Sequence, residues 1–177
     1  MESLGPLKTI KDSELWFTIQ VPESWEATTE RVSNPEGYAG LGFVTELLDN
    51  PILLNTHDFD IVTYAISRDW DQALRIRYRN TWTPHPHEST VMINGIIFDR
   101  FESKKDENVK VAYVVRKSSA NEHGFASMIE YSVDPSSQYQ QQDFESLIST
   151  FHYVTEEDIN YTAGEEIKRP DGIPLFR

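Results

Sequence analysis

Val91-Met92-Ile93-Asn94-Gly95-Ile96-Ile97-Phe98 is the stretch on which the reading of this chain turns. Two apolar arms flank Asn-Gly, the dipeptide that accepts the positive φ angles of a type I′ turn, so the segment predicts a tight β-hairpin. Working outward, the second arm is expected to run on to Glu102, followed by a charged loop over residues 104–108. Residues 109–117 and 125–133 read as further strands, joined by a turn over 118–124. Four strands in succession make an antiparallel meander. Upstream of the hairpin, Pro84 and Pro86 exclude regular structure between Thr81 and His87.

From Asp69 the period changes. Trp70, Ala73, Leu74 and Arg77-Tyr78 fall on one helical face with Asp69 as cap, predicting a helix over residues 69–80. Arg75-Ile76-Arg77-Tyr78-Arg79 also alternates, so a strand is the competing reading; length and the cap favour the helix. Residues 59–67 are rich in β-formers on both faces, as an inner strand is. Residues 41–48 and the more polar 25–32 read as strands on either side of an Asn34-Pro35-Glu36-Gly37 turn, and 52–58 as loop. Phe17, Ile19 and Val21 alternate with Thr18 and Gln20 up to Pro22, the pattern of a half-buried strand.

Past the meander, Asp134 can cap and Pro135 suits a first helical position. Phe144, Leu147, Ile148 and Phe151 then recur at helical spacing, predicting an amphipathic helix over residues 135–151 with His152 as a cation at its negative end. The fold class is therefore α+β: an antiparallel sheet of about six strands covered by helices. Its expected core is Trp16 or Phe17, Trp25, Ile61, Ile97, Val111, Tyr113, Phe144, Leu147, Ile148 and Phe151.

The 177 residues suit one domain. It is expected over residues 15–154, with an N-terminal extension over 1–14 and a C-terminal tail over 155–177. That tail is acidic and then punctuated by Gly164, Pro170, Gly172 and Pro174, although Ile173-Pro174-Leu175-Phe176 is apolar enough to dock. Four Trp, nine Phe and eight Tyr supply a core. Sixteen Lys and Arg against 29 Asp and Glu leave a net charge of −13, which argues against nucleic acid as a partner, since phosphates are met by Lys and Arg. Without cysteine there is no disulfide framework, thiolate metal site or cysteine nucleophile. No apolar run reaches the roughly 18 residues of a transmembrane helix. Residues 1–6 have neither the basic region nor the apolar core of a leader, leaving the compartment open between the cytoplasm and an exported form whose signal has been removed.

Three segments carry a family resemblance: Phe17-Thr18-Ile19-Gln20-Val21-Pro22-Glu23-Ser24-Trp25, an opening strand followed by a Pro-x-x-Trp turn; the helical segment 69–80 after an inner strand; and Phe144-Glu145-Ser146-Leu147-Ile148-Ser149-Thr150-Phe151 as a closing helix. In this order of elements, residues 15–154 resemble the Mog1/PsbP-like superfamily, which includes small prokaryotic PsbP-like proteins. The resemblance implies an antiparallel sheet between helices, an α/β/α sandwich, and mostly non-catalytic roles as binding or accessory subunits. No functional residue carries over, because no family motif is matched, and the tail after Val154 departs from the pattern.

The motifs for chemistry are sparse. Gly37-Tyr38-Ala39-Gly40-Leu41-Gly42 holds its glycines in the reverse order of a dinucleotide fingerprint and reads as a loop. The pairs Asp58-x-Asp60 and Asp69-x-Asp71 are what 29 acids produce by chance on a solvated surface. His85-Pro86-His87 is the candidate metal site, since residues two apart in an extended segment project alike and Asp58 or Asp60 could add a carboxylate; exposed imidazoles in a proline-rich loop are the alternative. Arg68, Arg75, Arg77 and Arg79 gather four basic residues into twelve positions, bracketed by Trp70 and Trp82. Either these arginines pair with sheet-edge acids, or Arg75 and Arg79 share an exposed face that meets an acidic partner. Arg and Trp are favoured at interface hot spots. Arg68, Trp70, Arg75, Arg79 and Trp82 are accordingly the expected partner surface. The expected function is a non-catalytic protein-binding or accessory module with no cofactor. A metal-binding protein or metal-assisted enzyme using His85 and His87 is the alternative, and a small-ligand carrier a further one.

Overall fold

The computed structural model describes residues 4–12, 17–33, 41–48, 59–65, 68–121, 124–153 and 165–166, with side chains described over 4–10, 17–25, 59, 61, 72, 75–121 and 124–153. Among these described residues it is an α+β fold with two sheets and two α-helices. The order is β1 (Leu7–Asp12), β2 (Phe17–Pro22), β3 (Glu26–Ser33), β4 (Leu41–Leu48), β5 (Phe59–Ala65), α1 (Arg68–Thr81), β6 (His87–Ile93), β7 (Ile96–Lys105), β8 (Asn108–Val115), a 3-10 turn (Lys117–Ser119), β9 (Phe125–Val133), α2 (Gln141–Ile148), β10 (His152–Tyr153) and β11 (Glu165–Glu166). No helix among the described residues is long and apolar enough to cross a membrane.

The larger sheet has seven strands in the order β3-β4-β5-β9-β8-β7-β6, antiparallel throughout. The hairpin that opened the sequence reading forms β6 and β7, with Asn94 at φ 50° and Gly95 at φ 79°, as the I′ turn requires. β5 is an inner strand between β4 and β9, as its two-sided β pattern predicts. α1 is a helix, so the alternation of residues 75–79 does not decide that segment: Tyr78 is fully buried and its ring packs on Phe101 at 5.3 Å.

β2 belongs to a second sheet, ordered β10-β2-β1-β11, rather than to the sheet of the meander. The residues read as an N-terminal extension supply β1, which pairs with β2 from Leu7↔Pro22 to Asp12↔Phe17 and buries Ile10. Within the stretch read as tail, Glu165 and Glu166 pair in parallel with Ile10 and Lys11. The Pro-x-x-Trp turn closes with the Trp25 N–H donating to the Pro22 carbonyl at 3.0 Å.

Register sorts the sheet into two faces. Phe98, Val111, Tyr113, Ile129, Tyr131, Phe59 and Ile61 point to one, where Phe144 of α2 stacks on Tyr131 at 5.0 Å and on Phe59 at 5.8 Å. On the same side Phe151 bridges the layers, 5.5 Å from Phe17 of the small sheet and 6.1 Å from Phe98. α1 covers the opposite face through Tyr78 and Phe101. Trp25, Phe17, Ile61, Val111, Tyr113, Phe144, Leu147, Ile148 and Phe151 are buried, as expected; Trp16 lies outside the described residues. Ile97 is only half-buried, because Ile96 and Phe98 take the core-facing parity of β7.

Three further expectations change. The charged loop over 104–108 contracts to a two-residue turn, Asp106-Glu107, with Asp106 at φ 55°. The last helix begins at Gln141 instead of Pro135. Asp134 spends its carboxylate on a local turn, where Oδ1 accepts from the Ser136 N–H at 2.7 Å, while Asp143 caps the helix by accepting from the Gln140 N–H at 2.7 Å. His152 lies in β10 with its ring within 3.0 Å of the Thr18 hydroxyl, so it is a strand residue rather than part of the helix end.

Candidate functional site

Around α1, Arg75 lies down on the sheet: its Nη2 meets Asp99 Oδ2 at 2.6 Å, with 15% and 18% of the two side chains exposed. Arg116 takes the other Asp99 oxygen at 2.9 Å and reaches Thr90 Oγ1 at 3.0 Å. Arg79 makes a two-toothed pair with Glu88 of β6, at 2.8 and 2.9 Å, in a more exposed position. Its hydrogen bond holds the Glu88 carboxyl below the usual carboxylate range. Arg75 and Arg79 therefore do not share an exposed face; each pairs with an acid of the sheet. Trp82 is half-buried, edge-on to Tyr78 at 4.8 Å. The side chains of Arg68 and Trp70 lie outside those described.

His85 and His87 are both exposed. His85 Nδ1 sits 3.1 Å from the Arg79 carbonyl, an N–H donor's position, while His87 opens β6 opposite Glu102. Asp58 lies outside the described residues, as does the side chain of Asp60. Among the described residues no group of three or more His, Asp or Glu is placed to hold a metal ion.

Beneath α1, Tyr78 donates to Glu130 Oε2 at 2.9 Å. Burial pushes the Glu130 carboxyl above its ordinary value, against the pull of Tyr78, Arg77 and Lys110. The folded chain then binds this proton more tightly than the unfolded chain. Stability from this residue accordingly falls as pH rises from the ordinary Glu range through the raised folded value. Glu130→Gln keeps an acceptor for Tyr78 and removes the titration. Urea unfolding at about pH 4 and about pH 7 is expected to show the variant losing less stability than wild type over that interval; equal slopes would contradict the assignment.

The more organised cluster lies on the other face. Arg100 and Tyr113 are direct partners across β7 and β8, and Tyr131 lies diagonal to Tyr113 on β9. Glu145 of α2 comes down on all three. Tyr131 donates to Glu145 Oε2 at 2.5 Å, and Arg100 Nη2 reaches the same oxygen at 3.3 Å. The Tyr113 hydroxyl accepts from Arg100 Nε at 2.9 Å and donates to Glu145 Oε1. Arg100 also meets Glu102 at 3.5 Å, and Gln141 Nε2 donates to Glu102 at 2.8 Å. Burial, then Glu145, pushes both phenols well above the usual tyrosine range. Burial opposes the charge on Arg100, but Glu145 and Tyr113 outweigh it and hold the guanidinium protonated. Both tyrosines are thus protonated and serve as hydrogen-bond donors near neutral pH.

Over this cluster, Gln140, Gln141, Gln142, Glu145, Ser146 and Ser149 line, among the described residues, a groove of about 960 Å³ that is broadly open to solvent. The sequence reading did not single these residues out. The available signal was parity in β8, where Tyr113 sits two residues from Val111 on a face that alternation assigns to the core. Neither the known protein families nor the curated proteins contain a match to this chain.

Proposed function

We propose that this protein is a non-catalytic binding or accessory module that holds a polypeptide partner along the α2 groove. The observation that carries this reading is the groove itself: open, edged among the described residues by the amides and hydroxyls of α2, with Glu145 in its wall held by Tyr131 and Arg100. Small-molecule sites enclose most of their ligand in a largely apolar cavity. An open groove, edged by amide side chains with apolar surface between them, instead suits a polypeptide, which offers an N–H and a C=O at nearly every residue along with its side chains. The net charge of −13 favours basic partners and speeds their encounter. Protonated phenols and a paired guanidinium fit a positioning role better than acid–base work.

The order of elements, with α1 and α2 on opposite sheet faces, supports reading the fold as a Mog1/PsbP-like sandwich, whose members act mostly without catalysis. The test compares immobilised wild-type chain with a Gln142→Arg/Ser146→Arg variant. Both substituted side chains are exposed, so the melting temperature is expected to hold while affinity for a retained basic polypeptide falls at least about tenfold, ~1.4 kcal/mol. Unchanged affinity, or substrate turnover abolished by a single substitution, would overturn the reading.

A further inference from the structure

Asn94 does more than shape its turn. Its side-chain Nδ2 donates to the Ser149 carbonyl at 3.0 Å and to the Phe151 carbonyl at 2.8 Å. These partners lie 55 and 57 residues away, at the C-terminal end of α2 and just before β10, where a helix leaves carbonyls without partners of its own. One side-chain amide therefore clips the hairpin tip of the large sheet to the element that carries the groove. Of the asparagines in the chain, Asn94 alone is followed by glycine. Gly95 has no Cβ to hinder its backbone nitrogen, and nothing lies within 4 Å of where one would stand.

We propose that Asn94 is a site of spontaneous deamidation, and that the reaction releases this clip. The deprotonated Gly95 nitrogen attacks Asn94 Cγ; an N–C bond forms, the Cγ–Nδ2 bond breaks, and ammonia departs. Water then opens the resulting succinimide at either carbonyl, leaving an aspartyl or isoaspartyl residue at position 94. No electrons are exchanged, and water is the only co-reactant. The product has lost the two-donor amide and carries an acceptor-only carboxylate facing two carbonyl oxygens at the negative end of a helix. The isoaspartyl form also adds a backbone carbon to a two-residue turn.

The clip works in both directions. Cyclisation requires the amide to leave both carbonyls, so the docked chain reacts only as fast as the hairpin tip opens. Release in turn frees the Ser149 end of the groove, because Ser149 supplies both a clip carbonyl and part of the groove wall. This inference stands on the clip alone and does not require a partner in the groove.

The test incubates the full chain at mildly alkaline pH, in buffer and in urea, and maps peptides by mass. Replacement of NH₂ by OH is expected at Asn94 ahead of every other asparagine, at least about tenfold slower in the folded chain than in urea. Deamidated protein, separated from the starting material by its added charge, and the Asn94→Asp variant should both melt at lower temperature. Amides 150–153 should exchange faster in both. Asn94→Gly, which lacks the new charge, should be milder. Equal rates in buffer and urea would overturn the protective clip. A wild-type melting temperature and exchange pattern in the deamidated protein would overturn the release.

Discussion

Phe144→Ala is expected to remove about 3–5 kcal/mol of stability, the range for truncating a buried Phe. The ring sits at the junction of the layers. It stacks on Tyr131 and Phe59, lies 6.3 Å from Trp25 and 6.0 Å from Tyr139, and is 1% exposed. Four aromatic neighbours fixed by separate elements, β9, β5, the Pro22–Trp25 turn and the approach to α2, cannot collapse together into the vacated space. The cavity contribution should therefore be near its upper range. For a chain of this size the loss corresponds to a fall in melting temperature of roughly 6–20 °C. A calorimetric shift of under about 2 °C would mean that α2 does not depend on this ring.

Glu145→Ala is expected to cost less in packing and more in polarity, about 2–4 kcal/mol. Two buried phenols lose their acceptor, and Arg100 keeps only its donation to the Tyr113 hydroxyl and the longer ion pair with Glu102. Partial exposure of Glu145 keeps the figure below that of a fully buried pair. Double-mutant cycles with Tyr113→Phe and Tyr131→Phe should give couplings of about 0.5–3 kcal/mol each. Additive effects would show that the cluster is proximity without cooperation. Because Glu145 also lines the groove, the same variant should weaken partner retention, whereas Phe144→Ala should act on retention only through unfolding.

Where local chemistry dominates, the chain could be read directly. Asn94-Gly95 needs only the preference of two residues for positive φ, and the hairpin stands as predicted. The inner strand β5 and the amphipathic faces of α1 and α2 follow from periodicity. Ile96-Ile97-Phe98 is a continuous apolar run without alternation, so nothing in it says which parity faces the core; only pairing with β8 places Ile96 and Phe98 inside. β1 was hidden for a related reason. Leu7-Lys8-Thr9-Ile10-Lys11-Asp12 has a weak pattern and gives the core chiefly Ile10, because β2, not its own hydrophobicity, holds it in place.

The start of α2 was misread because Asp134-Pro135 has the chemistry of a helix start. Ser136 and Ser137 offered Asp134 a turn instead, and Gln140 with Asp143 offered a better cap. At the candidate site, the α1 arginines stood out because they cluster in sequence, yet Arg75 and Arg79 spend their charge on acids of the sheet. Arg100, Tyr113, Tyr131 and Glu145 are scattered over 46 positions and meet only when three strands and a helix come into register. No local pattern announces such a cluster; pairing with Tyr113 of β8 is what turns Arg100 toward α2.

The central claim, a polypeptide partner held along α2, is tested most directly by photo-crosslinking from single positions in the full chain. A photoreactive residue at Gln142 or at Ser146 is expected to give a polypeptide adduct with the bound partner, while the same residue at Ser132 or Glu107, exposed positions away from the groove, gives none. Adducts from Ser132 or Glu107 with none from Gln142 and Ser146 would contradict it.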